Sequence, residues 1–217
     1  MDKKEILSKT ENHVHETLEG EGTGHDWWHI HRVRNTALKL AREEEADLFV
    51  VELAALLHDI ADHKFHDGDE EIGSKTAQQW LQNLEVEPSI TKHVCDIIRN
   101  VSYKGSEVET PMATLEGKVV QDADRLDALG AIGIARAFAY GGHKGRELHN
   151  PNTKLESHDS FEAYKNSSGP TINHFYEKLL LLKDRMNTTT GLQLARERHR
   201  FMQNYLAQFM DEWAGKI

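Results

Sequence analysis

The chain has 217 residues, a formal net charge of −10 and a single cysteine, Cys95. That balance argues against sequence-independent binding of a nucleic-acid polymer, which needs a Lys/Arg surplus, but leaves metal-bound nucleotides open as substrates. One thiol excludes an internal disulfide framework and fits a reducing cytoplasm. Neither a targeting peptide nor a membrane span is expected, because the longest apolar run, Phe49–Leu57, is interrupted by Glu52.

Leu, Ala, Glu and Lys dominate and β-branched runs are short, so the expected fold is all-α. Residues 3–18 read as a first helix, broken by Gly20–Gly24. Asp26 caps a second helix through residue 45, with Ile30, Val33, Ala37, Leu40 and Ala41 on its inward stripe. His29 stands one turn before Val33 and so lies on that stripe. Asp47 caps the third helix, whose residues Val50, Leu53, Ala54, Leu57 and Ile60 are nearly all apolar. Such a helix belongs at the centre of its domain. The polar run His63–Asp69 is expected to end it.

A helix is expected at about 70–83, and Pro88 opens another at a first-turn position. Residues 102–109 read as a loop with Lys104 at its tip. From Pro111 the chain reads helical to about 142, with Gly130 and Gly133 marking either close helix packing or a break near Asp127. Residues 141–157 are expected to form a functional or irregular loop, and helices at about 171–186 and 190–214 to close the chain.

Three polar sites interrupt these apolar faces: His29, the doublet His58–Asp59 within LAALLHDIAD, and the acids Asp122, Asp124 and Asp127. Unpaired charge in an apolar setting is costly, so such groups mark a metal or a reaction. A lone inward histidine is more often a hydrogen-bonded core residue, and an acidic run such as DADRLD more often a solvated face. The three sites together outweigh those separate readings. Imidazoles and carboxylates projecting from three helices make a mixed nitrogen/oxygen site for one divalent ion. Manganese is the first choice, with Fe, Co, Ni, Zn or Mg as alternatives. Asp62, one helical turn beyond His58, is the candidate for orienting or deprotonating an attacking water; its other reading is an ion pair with Lys64 or Arg32. Lys64 and Lys104 are the candidate polyphosphate contacts, with Lys144 and Arg146 behind them.

His29 with Arg32–Val33, then LLHDIAD, then VVQDADRLDALGAIG together resemble the HD superfamily of metal-dependent phosphohydrolases, whose pattern is H…HD…D. The resemblance implies metal ligation by His29, His58, Asp59 and a late aspartate. It places that aspartate at Asp124, which precedes an Arg–Leu pair, with Asp122 and Asp127 as fallbacks. The length suits one domain spanning 1–217, in which the resemblance marks an HD core at about 25–130, followed by a C-terminal helical extension at about 157–217. The tail resembles the YpgQ-like bacterial branch, which implies pyrophosphohydrolysis of a (deoxy)nucleoside triphosphate. A nucleoside monophosphate phosphatase and a non-catalytic nucleotide- or metal-sensing protein are the alternatives. Two-metal relatives carry extra histidines and a GYP signature. Here Asn100 and Ser102 occupy the corresponding stretch, which favours one metal over two; His63, His66 and His93 remain second-site candidates. The expected partner is a small nucleotide, with no membrane and no nucleic-acid polymer, and a homodimer is compatible with the sequence.

Overall fold

Apolar residues recurring at helical spacing leave little but helix, and every regular element of the described residues is helical. The computed structural model describes residues 1–20, 26–61, 71–103, 108–156 and 169–217. The chain groups into two compact units, Met1–Tyr103 with Thr110–Asp124, and Lys104–Glu109 with Arg125–Ile217.

The first unit is built round α3 (Leu48–Leu57), which is enclosed because only Leu48 and Glu52 of its residues escape full burial. Against it pack α1 (Lys3–Thr17), α2 (Trp27–Glu43) and α5 (Pro88–Val101), and α4 (Ile72–Asn83) packs on α5. Aspartates start the first three helices. Asp2, Asp26 and Asp47 each accept a backbone N–H of the first turn, from Glu5, His29 and Phe49, at 2.8 Å. A cap of this kind contributes about 1 kcal/mol. Arg34 of α2 reaches Glu52 of α3 and Glu11 of α1 (2.9 Å each), so one guanidinium fixes how three helices face one another.

Two helix ends depart from the sequence expectations, and both departures shape the site. α3 stops at Leu57 rather than running on to His63. His58 is its C-cap, and Ile60 donates to the Leu57 carbonyl (3.1 Å) in a tight turn. The doublet therefore lies just past the helix, not inside it. α6 (Leu115–Asp127) begins later than Pro111, because the Thr114 hydroxyl accepts from Gly117 N–H (3.2 Å) and sets the start there.

In the second unit α7 (Gly130–His143) follows a sharp break at Ala128–Leu129. Gly130 has φ +73, a left-handed conformation that L side chains rarely adopt. A Cβ on Gly133 would stand 2.2 Å from the Ala128 carbonyl oxygen. The expected helix at 171–186 is instead a short α8 (Thr171–Glu177) and a 3₁₀ segment, Leu179–Arg185. Four consecutive leucines cannot all face one stripe of an α-helix. In the tighter turn Leu179 and Leu182 eclipse on the buried side, while Leu181 is left exposed. α9 (Thr189–Trp213) packs on α7 and on the 3₁₀ segment. Phe138 of α7, Phe175 of α8 and Tyr205 and Phe209 of α9 form a connected aromatic cluster. No helix among the described residues is long and apolar enough to cross a membrane.

Candidate metal centre

The site lies within the first unit, where the end of α3 meets the first turn of α2 and the far half of α6. Each element delivers its ligand-type side chain for a local reason. The Asp26 cap fixes the first turn of α2, which carries His29. The end of α3 leaves its last four carbonyls without helical partners. One of them, that of Ala55, accepts from the His58 ring at Nδ1 (2.9 Å). A carbonyl oxygen can only accept, so Nδ1 of His58 carries the proton and its Nε2 presents a lone pair.

That lone pair faces a convergence. His29 Nε2 and His58 Nε2 are 3.2 Å apart. Asp59 Oδ2 lies 3.4 Å from His29 Nε2 and 3.6 Å from His58 Nε2. Asp124 Oδ1 lies 3.5 and 3.9 Å from the same two nitrogens. Ligand atoms each about 2.1 Å from one ion sit about 3.0 Å apart at right angles and about 4.2 Å apart when opposed. All five separations fall in that interval. The tightest group, His29, His58 and Asp59, offers ligand atoms within 4.8 Å of one another, and Asp124 joins through its distances to both imidazoles. The set gathers two imidazole nitrogens and two carboxylate oxygens, the atom types that a divalent cation takes as ligands.

Burial gives the site a direction. Both imidazole side chains are 1% exposed, whereas those of Asp59 and Asp124 are 17% and 27% exposed. The histidines are the enclosed members of the set, and the carboxylates are its more accessible ones.

Of the alternatives at the third corner, Asp127 is engaged elsewhere, bonded to Arg136 at 2.8 Å beside the α6–α7 break. Asp122 is wholly buried, two helical positions away from Asp124. His93, the described candidate for a second metal, meets the Thr114 hydroxyl (2.9 Å) and stands 3.7 Å from Glu116. It helps hold the start of α6. Lys144 and Arg146 lie over the Tyr140 ring, at 5.7 and 5.6 Å. Asp62, Lys64, His63, His66 and Lys104 lie outside the described residues. Because α3 ends at Leu57, the helical spacing that linked Asp62 to His58 does not apply.

Sequence reasoning passed over the residues that hold this geometry. Arg34, Glu52, Glu116 and Gln121 look like ordinary surface or helix-forming residues in sequence. Glu116 accepts from the Asp47 N–H (3.1 Å) at the start of α3, so α6 touches α3 near both ends. Only their long-range partners distinguish them.

A family model described as the HD domain matches residues 27–129, the stretch that contains all four converging side chains. YpgQ of Bacillus subtilis is 41% identical over 204 residues, covering 93% of this chain and 91% of that protein. The chain belongs to the HD superfamily. Within this hydrolase superfamily, the crystal structure of an HD-superfamily hydrolase from Bacillus thuringiensis superposes with a TM-score of 0.77 at 46% identity, covering 98% of this chain and 99% of that one. The structure of B. subtilis YpgQ in complex with ADP gives a TM-score of 0.78 at 37% identity, covering 98% and 97%.

Proposed function

We propose that this HD-superfamily hydrolase is a metal-dependent phosphohydrolase acting on a nucleotide, with His29, His58, Asp59 and Asp124 as the ligands of one divalent ion. The observation that carries the reading is the meeting of two imidazole nitrogens 3.2 Å apart with two carboxylate oxygens, each 3.4–3.9 Å from both nitrogens, brought together from α2, the turn after α3, and α6. Hard carboxylate and borderline imidazole donors together suit Mn²⁺ and its neighbours in the first transition row. The ADP complex of YpgQ supports a nucleotide as ligand class.

A divalent ion held by these four side chains would supply Lewis acidity to a phosphate oxygen and lower the pKa of an attacking water. The protein does the rest. His29 and His58 are the enclosed members of the set and exclude bulk water on their side, and Asp59 and Asp124 orient whatever enters from outside. Asp62 accepts the proton of the attacking water, and Lys64 and Lys104 hold the polyphosphate. The reaction of choice is cleavage of a (deoxy)nucleoside triphosphate to the monophosphate and pyrophosphate.

The test is a nucleotide panel with Mn²⁺, Co²⁺, Ni²⁺ and Mg²⁺ and identification of the products. Pyrophosphate supports this reading, and inorganic phosphate from monophosphates would point to a phosphatase. Tight nucleotide binding without turnover would point to a sensor. His58→Ala and Asp59→Ala should each lose both metal and activity; retention of both overturns the ligand assignment.

A further inference from the structure

We propose that Gln121 is the positioning residue for Asp124, an inference that rests on the ligand reading above. Gln121 is fully buried on α6. Its side-chain nitrogen lies 3.0 Å from the Thr110 carbonyl, 3.2 Å from that of Asn100 and 3.5 Å from that of Val101. An amide nitrogen carries two hydrogens, so the two shorter contacts account for one each. Asn100 and Val101 belong to the last turn of α5, whose carbonyls have no partner inside the helix. Thr110 lies on the segment that leads into α6. One side chain thus ties the end of one helix to the approach to the next.

The consequence falls on Asp124. It follows Gln121 by three residues, about 4.5 Å along the helix and within 60° of the same side. α5 packs on α3, and α3 ends in the turn that carries His58 and Asp59. Gln121 therefore closes a mechanical circuit from the doublet through α3, α5 and α6 to the Asp124 carboxylate. Thr114 to His93 and Glu116 to Asp47 act at the first turn of α6, and Arg125, Leu126 and Asp127 are bonded at its last turn. Gln121 is the bond to α5 that stands one helical turn before Asp124, so its loss acts on the stretch of α6 that carries that carboxylate. A buried amide that merely satisfied three carbonyls would matter for stability and no further. A positioning amide also sets metal affinity.

The experiment compares the two quantities on the full chain. Mn²⁺ affinity is read from the free-ion EPR signal without substrate, and stability from urea unfolding. Gln121→Met keeps the length and removes the donors. It should weaken Mn²⁺ binding about tenfold to a hundredfold, the range for residues that orient a metal ligand. Leu81→Ala, in the α4 core, should lose at least as much stability while its Mn²⁺ affinity stays within about twofold of the unaltered chain, as expected for a distant site. Gln121→Asn keeps the amide but falls short by a methylene, and should show an intermediate loss; it decides the matter if Gln121→Met does not fold. Asp124→Asn is the arm that separates the two ideas. If it weakens Mn²⁺ binding while the Gln121 variants behave like Leu81→Ala, the positioning role is overturned and the ligand reading stands. If Asp124→Asn binds Mn²⁺ normally, the ligand reading fails and takes this inference with it.

Discussion

Arg34 on α2 holds Glu52 on α3 through two of its nitrogens, Nε at 2.9 Å and Nη2, both on the same carboxylate oxygen. The pair is largely enclosed, with side-chain exposures of 18% and 14%. It fixes α2, which carries His29, against α3, whose C-cap is His58. Arg34→Met leaves Glu52 charged and without this partner, and should cost about 2–3 kcal/mol in urea unfolding. Arg34→Lys should recover less than half of that, because an ammonium cannot reproduce the fork. Full recovery by lysine would show that charge alone matters.

The α6–α7 break supplies a contrast between two glycines of one helix. Gly133→Ala would press its Cβ against the Ala128 carbonyl oxygen at 2.2 Å, a backbone atom that cannot swing aside as a flexible side chain would. It should destabilise by about 3 kcal/mol or more, or prevent folding. Gly142→Ala meets nothing within 4 Å and should be neutral or stabilising by up to about 1 kcal/mol. Thermal melts of the two variants should move in opposite directions, and similar losses in both would discount the close approach.

Two helices end on a glutamate in the conformation that glycine prefers. Glu45 has φ 59 and Glu85 has φ 55, and each is followed by a backbone bond back across the helix end, Ala46 to Ala41 (2.9 Å) and Val86 to Leu81 (3.0 Å). Relieving the Cβ strain outweighs the entropy glycine loses on folding, so Glu45→Gly should stabilise by about 0.5–1 kcal/mol. A fall in the urea midpoint would contradict this.

His13 of α1 stacks on Trp80 of α4, ring centroids 3.8 Å apart, and Trp80 donates to Thr10 of α1 (3.0 Å). Burial lowers the His13 pKa below the ordinary 6.5, partly opposed by Glu16. The folded chain therefore binds fewer protons here than the unfolded one. The associated stability is fully present above about 6.5 and is lost as pH falls toward and through the folded value. Unfolding between pH 7.5 and 5.5 should lose less stability in His13→Gln than in the unaltered chain. An equal loss would place the pH response elsewhere.

The helices were legible in the sequence wherever apolar spacing and an aspartate cap agreed, as at Asp26 and Asp47. Their ends were less so. Nothing local in LAALLHDIAD marks Leu57 as the last helical residue, because the stop is set by the His58 ring bonding back to Ala55. The α6–α7 junction was half visible, since two glycines announced a break but not which contact demanded it. His29, the doublet and Asp124 could be selected because chemistry of that kind is rare on apolar faces. Glu116 and Gln121 could not, since their roles depend on partners far away in sequence.

That early stop also has an electrostatic effect. The peptide dipoles of α3 add along its length, leaving roughly half a negative charge at the carbonyl end. That end lies directly behind His58 and Asp59. A helix running on past the doublet would have carried this partial charge away from the four side chains. By ending where it does, α3 adds its own backbone to the attraction for a cation, and a nearly all-apolar helix becomes an electrical part of the site it supports.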